Sequence, residues 1–152
     1  MITVPTALVL GAGASKDCGL PLASELKDNV VAKIRDDVAI QIAGVCNIPV
    51  PKVREFRDSL RNCELDSIDE WLERHPTLVD IGRTCIALEL GGRENPYQLQ
   101  KSWYPILWRA MSAGARTIDD ILKNKLCLII FNYDRAPEAF LINAAVNTFG
   151  IT

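Results

Sequence analysis

Histidine is nearly missing from this chain: His75 is the only one among 152 residues. A mechanism that needs two histidines would have to take one from elsewhere. The five cysteines, Cys18, Cys46, Cys63, Cys85 and Cys127, are odd in number and widely spaced, with no CxxC pair among them. That distribution fits neither a zinc ribbon nor a disulfide framework, so no metal is expected and the thiols read as small buried apolar groups in a reducing compartment. No apolar run reaches the roughly 20 residues that span a bilayer, and Met1 to Pro5 carry no positive charge ahead of an apolar stretch. The expectation is a cytoplasmic chain without a membrane partner. Charge of one sign is lacking too: seventeen Lys plus Arg against nineteen Asp plus Glu leave a net charge of -2, which offers no electrostatic footprint for nucleic acid. Internal repeats and low-complexity tracts are absent.

What is present has the balance of an ordinary globular protein, 49% apolar and 24% charged residues, so one domain over 1–152 is expected. The mean hydropathy of +0.10 is slightly apolar for this length. It raises the question of whether every apolar face finds its cover within the chain.

Thr6 to Leu10 is a short β-branched and aliphatic run that breaks into Gly11-Ala12-Gly13-Ala14-Ser15, the pattern of a buried parallel strand entering a tight turn. Beyond Gly19-Leu20-Pro21, Leu22, Leu26, Val30 and Ile34 recur at helical spacing, which predicts a helix with Pro21 near its first turn. A helical block follows. Val53, Phe56, Leu60 and Cys63 form an apolar stripe, and Ser67-Ile68-Asp69-Glu70 matches a capping box. A further helix opens at Pro76 and closes on Gly91-Gly92. Trp103, Tyr104 and Trp108 read as core aromatics, and Pro105 kinks or splits their segment. After a short capped helix at Thr117, Leu126 to Phe131 is a second strand, apolar on both faces, that ends in Asn132-Tyr133-Asp134 before a last helix from Pro137 to Val146.

Both polar signatures therefore sit at the carboxyl ends of predicted strands, where open parallel sheets bind ligands. Gly11-Ala12-Gly13-Ala14-Ser15-Lys16 begins like the dinucleotide fingerprint GxGxxG but has Lys16 at the third glycine, and no Walker GK[ST] follows. Glycines there let backbone amides approach phosphate oxygens beside a helix start, and Ser15 adds a hydroxyl. The plainer reading is a tight strand-to-helix turn. Asn132 and Asp134, at alternate positions past a strand, point to one side and can bind a ribose or orient a water; in the plainer reading they satisfy local backbone groups. His75 follows Arg74 near a helix end, where a partly exposed structural role is the ordinary one.

Taken together, Ala7-Leu8-Val9-Leu10-Gly11-Ala12-Gly13-Ala14-Ser15, Gly19-Leu20-Pro21, Ser67-Ile68-Asp69 and Phe131-Asn132-Tyr133-Asp134 resemble the sirtuin-like domain of bacterial anti-phage defence proteins that hydrolyse NAD. The resemblance implies an α/β fold, a Rossmann-like parallel sheet with a helical insertion, here about 50–122, between the first strand-helix unit and the Asn-Tyr-Asp strand. It implies that Gly11, Ala12, Gly13, Ala14 and Ser15 line the pyrophosphate and ribose of NAD. Asn132 is then the catalytic asparagine, with Asp134 beside it. Deacylating sirtuins follow Gly-Ile-Pro with Asp-Phe-Arg and place Gln before the Asn; here Leu22-Ala23-Ser24 follows Pro21 and Phe131 precedes Asn132. Their zinc-binding CxxC pairs are missing as well, so protein deacylation is disfavoured. The family's catalytic histidine lies downstream of the asparagine, whereas no residue after Asn132 is His. The expectation is thus an N-terminal portion of a sirtuin-like domain, incomplete at its C-terminus, that hydrolyses NAD in its complete form. The alternative is a non-catalytic NAD or ADP-ribose module, a remnant or sensor. Either is compatible with a homo-oligomer or a fused effector or sensor domain.

Overall fold

Thr6–Leu10 and Leu126–Ile130 form strands β1 and β2 of a computed structural model that describes residues 1–91, 93 and 96–151, with only the backbone of Pro96 and Tyr97. The two strands pair in parallel, Thr6 opposite Leu126 through Leu10 opposite Ile130. The architecture is mixed α/β and mainly helical, with a two-stranded parallel sheet among the described residues. No helix of the described residues is long and apolar enough to cross a membrane.

The chain divides into two compact units, residues 1–20 with 94–152, and residues 21–93. The expected single domain with an insertion at about 50–122 is drawn differently here. The helical unit begins directly after Leu20, and residues 96–122 belong with the strands.

In the helical unit, α1 (Ala23–Lys33), α2 (Asp36–Cys46), α3 (Val50–Arg61), α4 (Ile68–Glu73) and α5 (Val79–Leu90) surround one core. The stripe on α3 behaves as its spacing requires: Val53, Phe56 and Leu60 are fully buried, each contributing about 1.5–3 kcal/mol of burial. Trp71 of α4 meets Phe56 edge-on at 5.4 Å. Lys27 of α1 holds the chain after α3 by donating to the Cys63 and Leu65 carbonyls at 3.1 and 2.7 Å. At the other end Glu89 of α5, nearly buried, pairs with Lys33 and Arg93. Periodicity does not announce α2, because Val38, Ile40, Ile42 and Val45 spread around it and leave no polar face. It stops at Asn47, whose φ of 52° reverses the chain.

Two caps differ from expectation. Ser67 Oγ accepts from the Asp69 amide at 3.2 Å instead of the third amide, while Glu70 pairs with Arg74 at 2.7 Å instead of reaching back. The i,i+4 partner on the helix surface outcompetes the capping box. Gly91 is right-handed (φ -61°) and donates to the Ala87 carbonyl, so it continues the turn rather than reversing it; Gly92 lies outside the described residues, as does Thr152.

The strand unit holds β1, a 3-10 helix (Ala12–Cys18), α6 (Pro96–Leu99), α7 (Tyr104–Ser112), α8 (Ile118–Ile121), β2 and α9 (Ala136–Phe149). Pro105 stands in the first turn of α7, where its missing N–H costs nothing, so it starts a helix and separates it from α6. The α8 cap forms through Asp120, whose carboxylate accepts the Arg116 and Thr117 amides and pairs with Lys123. The Lys123 ion pair first, then those amides, hold that carboxyl well below its ordinary range.

The sheet is covered on one face. Leu8, Leu126 and Leu128 pack with Leu107, Met111 and Ile121, whereas on the other face Val9 is 65% and Ile129 43% exposed. Alternation along the strands thus leaves one apolar face open, and Phe131 just beyond it is 76% exposed. Part of the slightly apolar composition is exposed there.

Candidate functional site

Parallel pairing of β1 and β2 puts both carboxyl ends side by side, so the turn after Leu10 and the loop after Ile130 emerge together. The first of these is not a tight turn. Gly11 is extended (φ -111°), and Ala12–Cys18 coil into a 3-10 helix that stops at Gly19. Gly19 needs its identity: its φ is 81°, and a Cβ there would run into the Gln98 carboxamide. Gly11 and Gly13 do not share either reason. Neither has a positive φ, and a Cβ on either would meet nothing within 4 Å.

The two loops are tied together at one atom. Ser15 Oγ accepts from Asn132 Nδ2 at 3.0 Å, donates to Asp134 Oδ1 at 3.1 Å, and lies 3.5 Å from the Tyr104 hydroxyl. Ser15, Asp134 and Tyr104 are all buried. Asp134 also accepts the Ala136 amide at 3.0 Å and so supports the start of α9. From the other side the Trp103 indole donates to the Ala14 carbonyl at 2.8 Å, which clamps the 3-10 helix against α7. Tyr104 stacks on Phe140 of α9 with ring centroids 5.6 Å apart.

Electrostatically this is a closed, acceptor-rich cluster. Burial pushes the Tyr104 hydroxyl up to about 12; the Ser15 hydrogen bond opposes the shift, and negative charge at Cys18, Asp134 and Glu138 adds to it. Burial also raises the Cys18 thiol, against the opposing hydrogen bond of Ser102. Among the described residues of this unit, two oxygens closed off from solvent lack a hydrogen-bond partner: Asn132 Oδ1 and Glu138 Oε2. Such orphans are uncommon in folded proteins, because the lost hydration is not repaid.

Of the residues expected at a ligand site, Gly11 and Gly13 are exposed, and Ala12, Ala14 and Asn132 are half-buried. Asn132 and Asp134 do converge, but on Ser15 rather than outward. Ser15 Oγ is engaged by Asn132 and Asp134, and Asp134 Oδ1 also accepts the Ala136 amide, so they position the loops. Tyr104 joins the cluster as well as the core, and exposed Phe131 and Tyr133 flank Asn132 with aromatic surface. Glu138 carries no sequence signal, since a Glu in the first turn of a helix is an ordinary dipole partner. His75 belongs to the helical unit; its Nδ1 lies 2.8 Å from the Trp71 carbonyl and its ring stacks on Trp71 at 3.9 Å.

A groove of about 690 Å³ runs elsewhere on the strand unit, between α7 and α9, with Pro105, Trp108, Phe140 and Asn143 in its walls. None of the glycine-turn residues lines it. Among the described residues its walls carry no ionisable side chain and no orphaned polar atom. Among the described residues no group of His, Cys, Asp and Glu is placed to hold a metal ion. No protein-family model, curated protein or solved structure matches this chain.

Proposed function

We propose that this chain binds NAD over Gly11 and Gly13 at the carboxyl ends of β1 and β2. In this reading the two strands are neighbours in a Rossmann-like sheet of a sirtuin-like domain that hydrolyses the nicotinamide glycosidic bond in phage defence. The observation that carries it is the meeting of the glycine turn, Asn132 and Asp134 at Ser15 Oγ. Two sequence-distant polar motifs share one atom where open parallel sheets take ligands.

The glycines support the same reading. Backbone strain and packing both leave Gly11 and Gly13 unexplained, whereas close approach of a pyrophosphate to backbone amides explains both. Asn132, held at Nδ2 by Ser15, keeps Oδ1 unspent for a water or a ribose hydroxyl at the reacting carbon. In this reading catalysis depends on orientation and on stabilising the oxocarbenium character at C1′ as nicotinamide leaves.

The test is incubation of the purified chain with NAD, with nicotinamide and ADP-ribose followed by chromatography and Asn132→Ala alongside. Release that persists unchanged in Asn132→Ala removes Asn132 from the mechanism. One observation favours the second reading, a non-catalytic NAD or ADP-ribose module: Ser15 and Asp134 are already paired with each other. Calorimetric binding of NAD without turnover is its signature.

A further inference from the structure

The groove between α7 and α9, about 690 Å³, has the size of small-molecule sites, roughly 300–1,000 Å³. Pro105 and Phe140 give it apolar lining, Gln100, Asn143 and Asn147 bring three side-chain carboxamides, and Trp108 adds a half-buried indole. The α9 wall is unusual for an exposed helix. After Glu138 no residue through Thr152 is ionisable, so the exposed polar positions that lysine, glutamate or arginine ordinarily fill are held by Asn143, Asn147 and Thr148. Asparagine inside a helix is a poorer helix former than any of those three, because its carboxamide competes for backbone groups. Internal contacts do not offset that cost. Among the described residues the Asn143 carboxamide makes no hydrogen bond within the chain, and Asn147 Nδ2 donates to the Asn143 carbonyl at 2.8 Å, a local bond of the competing kind. Four residues apart, the two side chains share one helix face, the one that lines the groove.

The chemistry of the lining narrows the ligand. Among the described residues it offers no charge to offset taking a phosphate, carboxylate or ammonium out of water, so the part of the ligand held there is neutral. A carboxamide presents a donor and an acceptor side by side in one plane, which matches the adjacent N6 amino donor and N7 acceptor of adenine in a single bidentate contact. The hydroxyls of a sugar point in different directions and match it less fully. Trp108 supplies a ring for stacking: it meets Phe149 edge-on at 6.4 Å, and no ring stacks on it among the described residues. We infer that this groove is a second ligand site, which takes an uncharged nucleobase of the adenine type against Trp108, with its edge on the carboxamides of Asn143 and Asn147. None of the glycine-turn residues lines it, and the inference does not rest on NAD binding there.

The experiment titrates the full chain with adenosine, by calorimetry and by tryptophan emission, beside Asn143→Ala, Asn147→Ala, Trp108→Phe and Gly13→Ala. Adenosine is expected to bind and to quench the emission, and each asparagine variant to weaken binding about tenfold, as the loss of a bidentate contact does. Alanine is the better helix former, so the same two variants keep or raise the Tm, which separates lost recognition from lost folding. Trp108→Phe removes the quenching, and Gly13→Ala leaves adenosine binding as it was. No adenosine binding at about 1 mM overturns the site, as does binding by both asparagine variants equal to that of the original chain. Binding that weakens only in Gly13→Ala overturns it too, because the base then sits at the glycine turn. Quenching that survives Trp108→Phe refutes the stacking. Glucose bound in place of adenosine, with the same dependence on Asn143 and Asn147, overturns the nucleobase in favour of a saccharide.

Discussion

Gly13→Ala separates a ligand cradle from a structural turn more cleanly than any other single change. Gly13 lies inside the Ala12–Cys18 3-10 helix, its φ is not positive, and the added methyl would meet no atom within 4 Å. Nothing in the folded state opposes the methyl. In the unfolded state, alanine has less conformational freedom to lose than glycine, so the variant should gain about 0.4–1 kcal/mol of stability. For a chain of this size that is a rise in Tm of about 1–4 °C. A ligand whose phosphate rests on the Gly13 backbone meets the methyl directly, and an overlap costing about 1.4 kcal/mol already weakens binding tenfold. Thermal denaturation by circular dichroism and calorimetric titration with NAD read the two effects independently. A fall in Tm would refute the claim that the fold does not need the glycine. An unchanged Kd for NAD would refute its role at the ligand.

Gly82→Ala should behave in the opposite way: its Cβ would land 2.5 and 2.6 Å from the methyl carbons of Leu72, so urea unfolding should show a loss of about 1–3 kcal/mol. Equal stability would mean that α4 and α5 separate more easily than their packing implies. Tyr104→Phe tests the buried hydroxyl. Its pKa is about 12 in the folded chain against an ordinary 10, so below pH 10 its contribution to stability is complete, and it is lost as the pH rises from 10 to 12 and the unfolded state ionises first. The Cys85 thiol, pushed up to about 12 by burial, acts with the same sign in both proteins and cancels in the comparison. The expected result is a shallower alkaline decline in the urea midpoint of Tyr104→Phe; an equal slope would place the tyrosine ionisation elsewhere.

Elements whose causes lie within a few residues were legible in the chain. The aliphatic runs at Thr6–Leu10 and Leu126–Ile130 became strands, and the Val53, Phe56, Leu60 stripe became a buried helix face. Where a local choice had competitors, the outcome was decided by neighbours. Glu70 took Arg74 rather than the Ser67 amide, and α2, with no polar face, had no period to read.

By itself, the sequence determined that two strands end in polar motifs, because strand propensity, glycine and helix spacing act over short range. Only the tertiary structure decided that those motifs meet. The Ser15 contacts to Asn132 and Asp134 span 117 and 119 residues, and the one to Tyr104 spans 89. Such contacts depend on parallel pairing of β1 with β2 and on α7 packing behind the glycine turn, neither of which leaves a local trace. The same pairing turned Asp134 inward and left Gly11 and Gly13 over open space.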